Sequence, residues 1–163
     1  MNSASYAGRI RARSCALVVE NSKILLVHQR VPTRETPVWL PPGGEILLGE
    51  SSRDAATRET AEETGLIVEP QGLAAVHEFL EPPFHAVELY FFAEVMGGDL
   101  ITGIDPELGD DDQQILNVEF IPLKSLNSNV LYPLFLRELD LLKLRETAGE
   151  APRIFSSHPE NPS

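Results

Sequence analysis

Between Ser51 and Gly65 the chain encodes a helix with both ends specified. Ser51 or Ser52 can cap its N-terminus, and Asp54 stands three residues after Ser51 in a near-capping-box arrangement. Ala55, Ala56, Glu59, Glu62 and Glu63 favour helix, and Gly65 suits the residue that closes it. The preceding run Trp39-Leu40-Pro41-Pro42-Gly43-Gly44 can sit inside neither a helix nor a central strand. Residues three and four apart share a helix face, so Glu59, Glu62 and Glu63 project together. Their repulsion costs roughly a few tenths of a kcal/mol per pair on an exposed helix. A hard divalent cation offsets that cost, since Mg²⁺ takes oxygen ligands and retains waters and phosphates. Gly43-Gly44 lets backbone approach a ligand and leaves carbonyls free for a metal. The planar fork of Arg58 suits a carboxylate such as Glu50. Ala55, Ala56, Thr60 and Ala61 are small, which allows the helix to sit close to a sheet.

The flanking sequence supplies that sheet. Ser14 to Glu20 and Lys23 to Arg30 read as strands around an Asn21-Ser22 hairpin turn. Val31 to Pro37 is a loop. Leu66-Ile67-Val68, Leu73 to Leu80, Ala86 to Met96 and Ile115 to Pro122 read as further strands, with Glu81-Pro82-Pro83-Phe84 as a break. Gly97 to Gln114 is a long acidic loop. Leu131 to Arg145 reads as a second helix with Leu131, Leu134, Phe135, Leu139 and Leu142 on one face. Residues 1–10 are expected to be a flexible tail, 11–146 the domain, and 147–163, rich in Pro, Ser and Glu, a disordered tail. Strands, helix, strands, helix in that order suggest a mixed sheet between helices.

Composition narrows the function classes. At 163 residues and a net charge of −12, the chain is one acidic domain and a poor candidate for coating nucleic acid. Any anionic substrate needs positive charge from elsewhere. The single cysteine, Cys15, allows no intramolecular disulfide or Cys/His zinc cluster and reads as a buried small hydrophobe. No stretch reaches the length of a membrane span, and Cys15 to Val19 is too short for a secretory segment. The expectation is a cytoplasmic protein without membrane or nucleic-acid partners.

Gly44 to Leu66 resembles the Nudix box of the Nudix hydrolases, G-x5-E-x7-R-E-U-x-E-E-x-G-U, with U a bulky aliphatic residue. Its seven fixed residues are present as Gly44, Glu50, Arg58, Glu59, Glu62, Glu63 and Gly65, and Leu66 matches the last U. Seven matches in register arise by chance with a frequency on the order of 10⁻⁹ per starting position. Thr60 departs from the first U; being isosteric with Val, it reads as a conservative loss of apolar surface. The Trp39 to Gly44 approach is also similar to that family's.

The resemblance implies an α/β fold, a Nudix α/β/α sandwich with a mixed β-sheet between helices. It implies hydrolysis of a nucleoside diphosphate linked to another moiety, with Mg²⁺ or Mn²⁺ supplying the positive field. By the same resemblance Glu59 and Glu63 are carboxylate ligands, Glu62 shares the metal cluster, and the Gly43 carbonyl is a backbone ligand. Glu50 and Arg58 brace the loop and helix. The general base is a box glutamate, Glu59 or Glu62, or an acid of the distal loop. There Gln113-Gln114 replace the distal glutamate often found in the family, and Asp110, Asp111 and Asp112 lie just upstream. Within the family a proline about sixteen residues past the box marks ADP-ribose hydrolases, and Pro82 stands sixteen past Leu66. The readings are therefore a hydrolase of ADP-ribose or a nucleotide sugar, a MutT-like nucleoside triphosphate pyrophosphohydrolase, or a non-catalytic nucleotide sensor. By analogy the family's dimers suggest a homodimer.

Other residues carry ordinary readings beside functional ones. Trp39, Phe84 or Tyr90 could stack a base or belong to the core. His28, His77 and His85 read as strand residues rather than ligands. Arg9, Arg11 and Arg13 could meet a substrate phosphate, with solvated surface the commoner outcome.

Overall fold

Asn21 and Ser22 both take positive φ, 49° and 58°. That is the backbone twist a two-residue hairpin demands. They join β2 (Val19–Glu20) to β3 (Lys23–Gln29), antiparallel. The computed structural model describes residues 7–101, 114–126, 131–137, 139–147 and 152–157. Strand β1 (Ile10–Leu17) precedes the hairpin, and β4 (Val38–Leu40) and β5 (Gly43–Glu45) follow it. Helix α1 (Ser52–Thr64) then leads into the two long strands β6 (Leu66–Glu81) and β7 (Phe84–Gly98). Beyond them come β8 (Ile115–Pro122), helix α2 (Leu141–Thr147) and β9 (Arg153–Ser157).

Two sheets result. The larger is mixed, in the order β5-β1-β7-β6-β9, with β1 parallel to β7 and β6 antiparallel to it. In the smaller, β3 pairs with β8 along its length and with β2 and β4 at its two ends. Side chains alternate across β1, so its two faces enter different cores. Cys15 and Leu17 pack with Tyr90, Phe92, Phe135, Leu136 and Leu141. Ala16 and Val18 pack with Leu25, Val27, Leu66 and Val68. Helix α1 rests on the sheet through its small buried residues Ala55, Ala56, Thr60 and Thr64. Ser14 Oγ donates to Ser52 O (2.6 Å) and Thr57 Oγ1 to Val68 O (3.1 Å), fastening it to β1 and β6. The mixed sheet between helices expected from the sequence is the architecture observed.

Three local expectations need correction. The segments Leu66–Val68 and Leu73–Leu80 form one strand, with irregular register between Pro70 and Ala75. Proline supplies no N–H to the ladder, so the strand bulges there instead of ending. The second helix is broken. A 3₁₀ turn spans Leu134–Arg137, and a new helix begins at Leu141. Asp140 caps the restart, its Oδ1 accepting from Lys143 N–H (3.1 Å). The break changes which leucine is inside: Leu141 is 2% exposed, whereas Leu142, expected on the apolar face, is 47% exposed. Finally, the segment read as a disordered tail contributes β9. It runs parallel to the edge of β6 and stacks Phe155 on Phe135 at 4.3 Å between ring centroids.

Candidate active site

Helix α1 starts and stops where its sequence dictates. Ser51 Oγ accepts from Asp54 N–H (3.1 Å), and Gly65 closes the helix in the left-handed region at φ 75°. Thr60 is fully buried and satisfies its hydroxyl by donating to Ala56 O (2.7 Å). It therefore stands at an aliphatic position without leaving a buried polar group unpaired.

The site is built where α1 meets the Gly43-Gly44 edge of the sheet. Arg58 organises it. Its Nε and Nη2 grip Glu50 at 2.8 and 3.0 Å, and Nη2 also donates to Glu45 O (3.1 Å). Its Nη1 reaches Glu59 at 2.8 Å and Glu62 at 3.2 Å. Glu50 additionally accepts from Leu47 N–H (3.0 Å), which with the Arg58 fork holds its carboxyl down at about 2.

Two of the three glutamates turn toward the glycines. Glu63 Oε2 accepts from Gly43 N–H (2.9 Å). The carboxylate of Glu59 lies so close to Gly44 that a Cβ there would stand 2.3 Å from its carboxyl carbon. At Gly43 a Cβ would meet Ser14 O at 2.4 Å and Cys15 Sγ at 2.6 Å. Gly43 requires glycine because backbone approaches so closely, whereas at Gly44 the obstacle is the end of the flexible Glu59 side chain. Burial pushes the Glu63 carboxyl up to about 8, against the pull of the Gly43 N–H and with the push of Glu59. Burial likewise raises Glu59, opposed by Arg58. Glu62 faces outward, its side chain 58% exposed. Thus Glu59 and Glu63 are brought together with Gly43, while Glu62 stays at the rim. Asp111 and Asp112 lie outside the described residues.

The donor set fits a hard divalent cation. It is made of oxygen alone, and Mg²⁺ needs only one or two protein carboxylates when water and phosphate complete its shell. Among the described residues no three His, Cys, Asp or Glu side chains gather into a cage. The reason is visible: Arg58 draws Glu59 and Glu62, and Gly43 N–H draws Glu63.

Behind the glycines lies a network that reading the sequence missed. Arg13 donates through Nη1 to Glu88 and through Nη2 to Gly43 O (3.2 Å). Glu88 Oε2 is also held by His77 Nδ1 (2.8 Å) and accepts from Tyr90 OH (3.0 Å). Burial alone would raise the Glu88 carboxyl, but Arg13, His77 and Tyr90 hold it down at about 2. Alternation puts Arg13 on the β1 face of Cys15 and Leu17, but Arg11 shares that face, so parity alone did not single Arg13 out. Arg9 and Arg11 both pair with Glu45, with the Arg9 side chain 52% exposed at the surface as expected. Cys15 is 2% exposed, and burial pushes its thiol up to about 12. Of the candidate stacking residues, Tyr90 is buried at 2% exposure, and Trp39 stacks on His28 at 4.7 Å.

Comparison with known proteins agrees with this geometry. The family model described as NUDIX domain matches residues 8–141. An ADP-ribose pyrophosphatase of Methanocaldococcus jannaschii is 33% identical over 91 residues, 55% of this chain and 53% of the relative. The human 8-oxo-dGDP phosphatase NUDT18 is 31% identical over 147 residues, 87% of this chain and 41% of the relative. The chain spans about half the length of the curated relatives it matches. Among solved structures, a NUDIX hydrolase from Nitrosomonas europaea superposes with a TM-score of 0.70 at 18% identity. The match covers 88% of this chain and 93% of that one, a likeness of fold. No helix of the described residues is long and apolar enough to cross a membrane.

Proposed function

The chain belongs to the NUDIX family, and we propose that it is a metal-dependent pyrophosphohydrolase acting on a nucleoside diphosphate linked to another group. The observation that carries the reading is the convergence of Glu59 and Glu63 on the Gly43-Gly44 backbone, with Arg58 clamping Glu50 behind them. Water adds to one phosphorus of the anhydride, the bridging P–O bond breaks, and the proton of the water passes to a carboxylate. Glu59, Glu63 and the Gly43 carbonyl would hold Mg²⁺ or Mn²⁺, which supplies charge neutralisation at the phosphates and acidifies bound water. Glu62, at the exposed rim, is the box carboxylate open to solvent and takes the role of base, with Asp111 and Asp112 as the alternative acids. Glu50 and Arg58 brace the loop without touching substrate.

For the substrate we propose ADP-ribose or a nucleotide sugar, supported by the name of the archaeal relative and by Pro82 in the turn between β6 and β7. A MutT-like reading, cleavage of a nucleoside triphosphate, is favoured by one fact. The human relative named for an oxidised guanine nucleotide aligns over 87% of this chain, against 55% for the archaeal one.

The test is product analysis. Wild type and Glu63→Gln are incubated with ADP-ribose, dinucleoside polyphosphates, and oxidised and normal nucleoside triphosphates, with Mg²⁺, Mn²⁺ or EDTA. AMP plus ribose phosphate selects the first substrate class, and nucleoside monophosphate plus pyrophosphate the second. Turnover abolished by both EDTA and the substitution supports the metal hydrolase. Nucleotide binding without any turnover overturns it in favour of a sensor.

A further inference from the structure

Gly43 is held from two sides. Its N–H donates to Glu63 on α1, and its carbonyl accepts from Arg13 on β1. The two bonds together fix where that stretch of backbone sits and how its oxygen points. Arg13 is in turn fixed by a buried acid that nothing at the surface can reach. Glu88 is 5% exposed, and its supports His77 and Tyr90 are 0% and 2% exposed. The network spans three strands: β1 carries Arg13, β7 carries Glu88 and Tyr90, and β6 carries His77.

This arrangement is a poor device for stability alone. A buried ion pair seldom outperforms well-packed apolar residues of the same volume. Here the network also leaves Arg13 Nε buried with no hydrogen-bond partner among the described residues. What it does deliver is orientation. A planar guanidinium forked between a fixed carboxylate and a backbone carbonyl sets direction as well as distance.

We propose that Arg13, backed by Glu88, His77 and Tyr90, is a positioning residue that aims the Gly43 carbonyl at the cation held by Glu59 and Glu63. The inference rests on the metal-dependent reading above. Arg13 acts on the site through Gly43.

The test measures Mn²⁺ affinity of the free protein by electron paramagnetic resonance, without substrate. Outer-shell partners of a metal site typically change affinity by about 10–100-fold. Arg13→Lys keeps the charge and loses the fork, and is expected to weaken Mn²⁺ binding by about that factor. Tyr90→Phe removes one support of Glu88 without touching a charge, and is expected to weaken binding a few-fold. It keeps the proposal testable if the lysine variant folds poorly. Val118→Ala perturbs the other core cluster, which holds no member of the network, and serves as the structural control, with Mn²⁺ affinity unchanged even where its melting temperature falls. If wild type binds Mn²⁺ and both Arg13→Lys and Tyr90→Phe bind it equally well, the positioning role is wrong while the hydrolase reading survives. If wild type itself binds no Mn²⁺, both fall.

Discussion

Two arginines organise this protein, and they do so by opposite means. Arg58 gathers Glu50, Glu59 and Glu62 within thirteen residues of chain, on one helix and the loop before it. Arg13 gathers Glu88 and, through it, His77 and Tyr90 from strands up to 77 residues away. The first cluster faces solvent: the Arg58 side chain is 27% exposed and that of Glu62 58%. In the second, Glu88, His77 and Tyr90 are buried and the Arg13 side chain is 18% exposed. Between them lies Gly43, which Arg13 holds directly and which Glu63, next to the Arg58 cluster, holds by its N–H. The difference shows where a function is written. The exposed cluster is specified by helical spacing, and the buried one by strand register.

Substitutions should separate the two. The largest effect is expected from Glu63→Gln. Removing a carboxylate that faces the reacting centre should lower kcat by about 10²–10³-fold, measured in steady state with saturating metal. Arg58→Lys should follow. It keeps charge but loses the bidentate grip on Glu50, at a cost of about 1 kcal/mol in denaturant unfolding because the pair is partly exposed. Activity should fall further than stability does, since Glu59 loses its anchor as well. Gly44→Ala sharpens the same contrast. The added methyl meets the end of the Glu59 side chain, which can swing away, so folding stability should hold to within about 0.5 kcal/mol. Mn²⁺ affinity, read by calorimetry, should drop. Thr60→Val is the mildest: it trades a satisfied hydroxyl for a methyl and should shift stability by less than about 1 kcal/mol, read by denaturant unfolding.

Glu63 and Glu88, the acids on either side of this comparison, respond to pH with opposite signs. Burial raises Glu63 from 4.5 to about 8 in the metal-free protein. Between those values the folded state binds the extra proton, so this group's contribution to stability is fully present below 4.5 and is lost as pH rises to 8. Glu88 is held at about 2 against an ordinary 4.5, so its contribution is present above 4.5 and is lost as pH falls through 2. Melting curves of EDTA-treated protein should therefore fall in Tm from pH 5 to 8, and Mn²⁺ should remove most of that fall. A Tm independent of pH over that interval would count against an enclosed Glu63.

Much of the fold was legible because its signals were local. The caps of α1, the Asn21-Ser22 turn and the bounds of β8 each depend on neighbours within a few residues. The second helix was not legible. Its apolar spacing suits one helix, but Asp140 offers a cap at which the chain restarts, and burial of Leu141 rather than Leu142 follows from packing. Likewise the composition of Arg153 to Ser157 suits a free tail. Its pairing depends on an open edge of β6, which no local signal announces.

By itself, then, the sequence determined which carboxylates share a helix face, which glycines precede them and which arginine lies among them. Helical periodicity converts spacing into geometry without help from the rest of the chain. Only the tertiary structure decided that Glu59 and Glu63 turn inward while Glu62 stays at the rim. It alone decided that Arg13, one of three N-terminal arginines, turns to Glu88 and holds Gly43. Those outcomes depend on which strands become neighbours, and strand pairing joins residues that no sequence spacing relates.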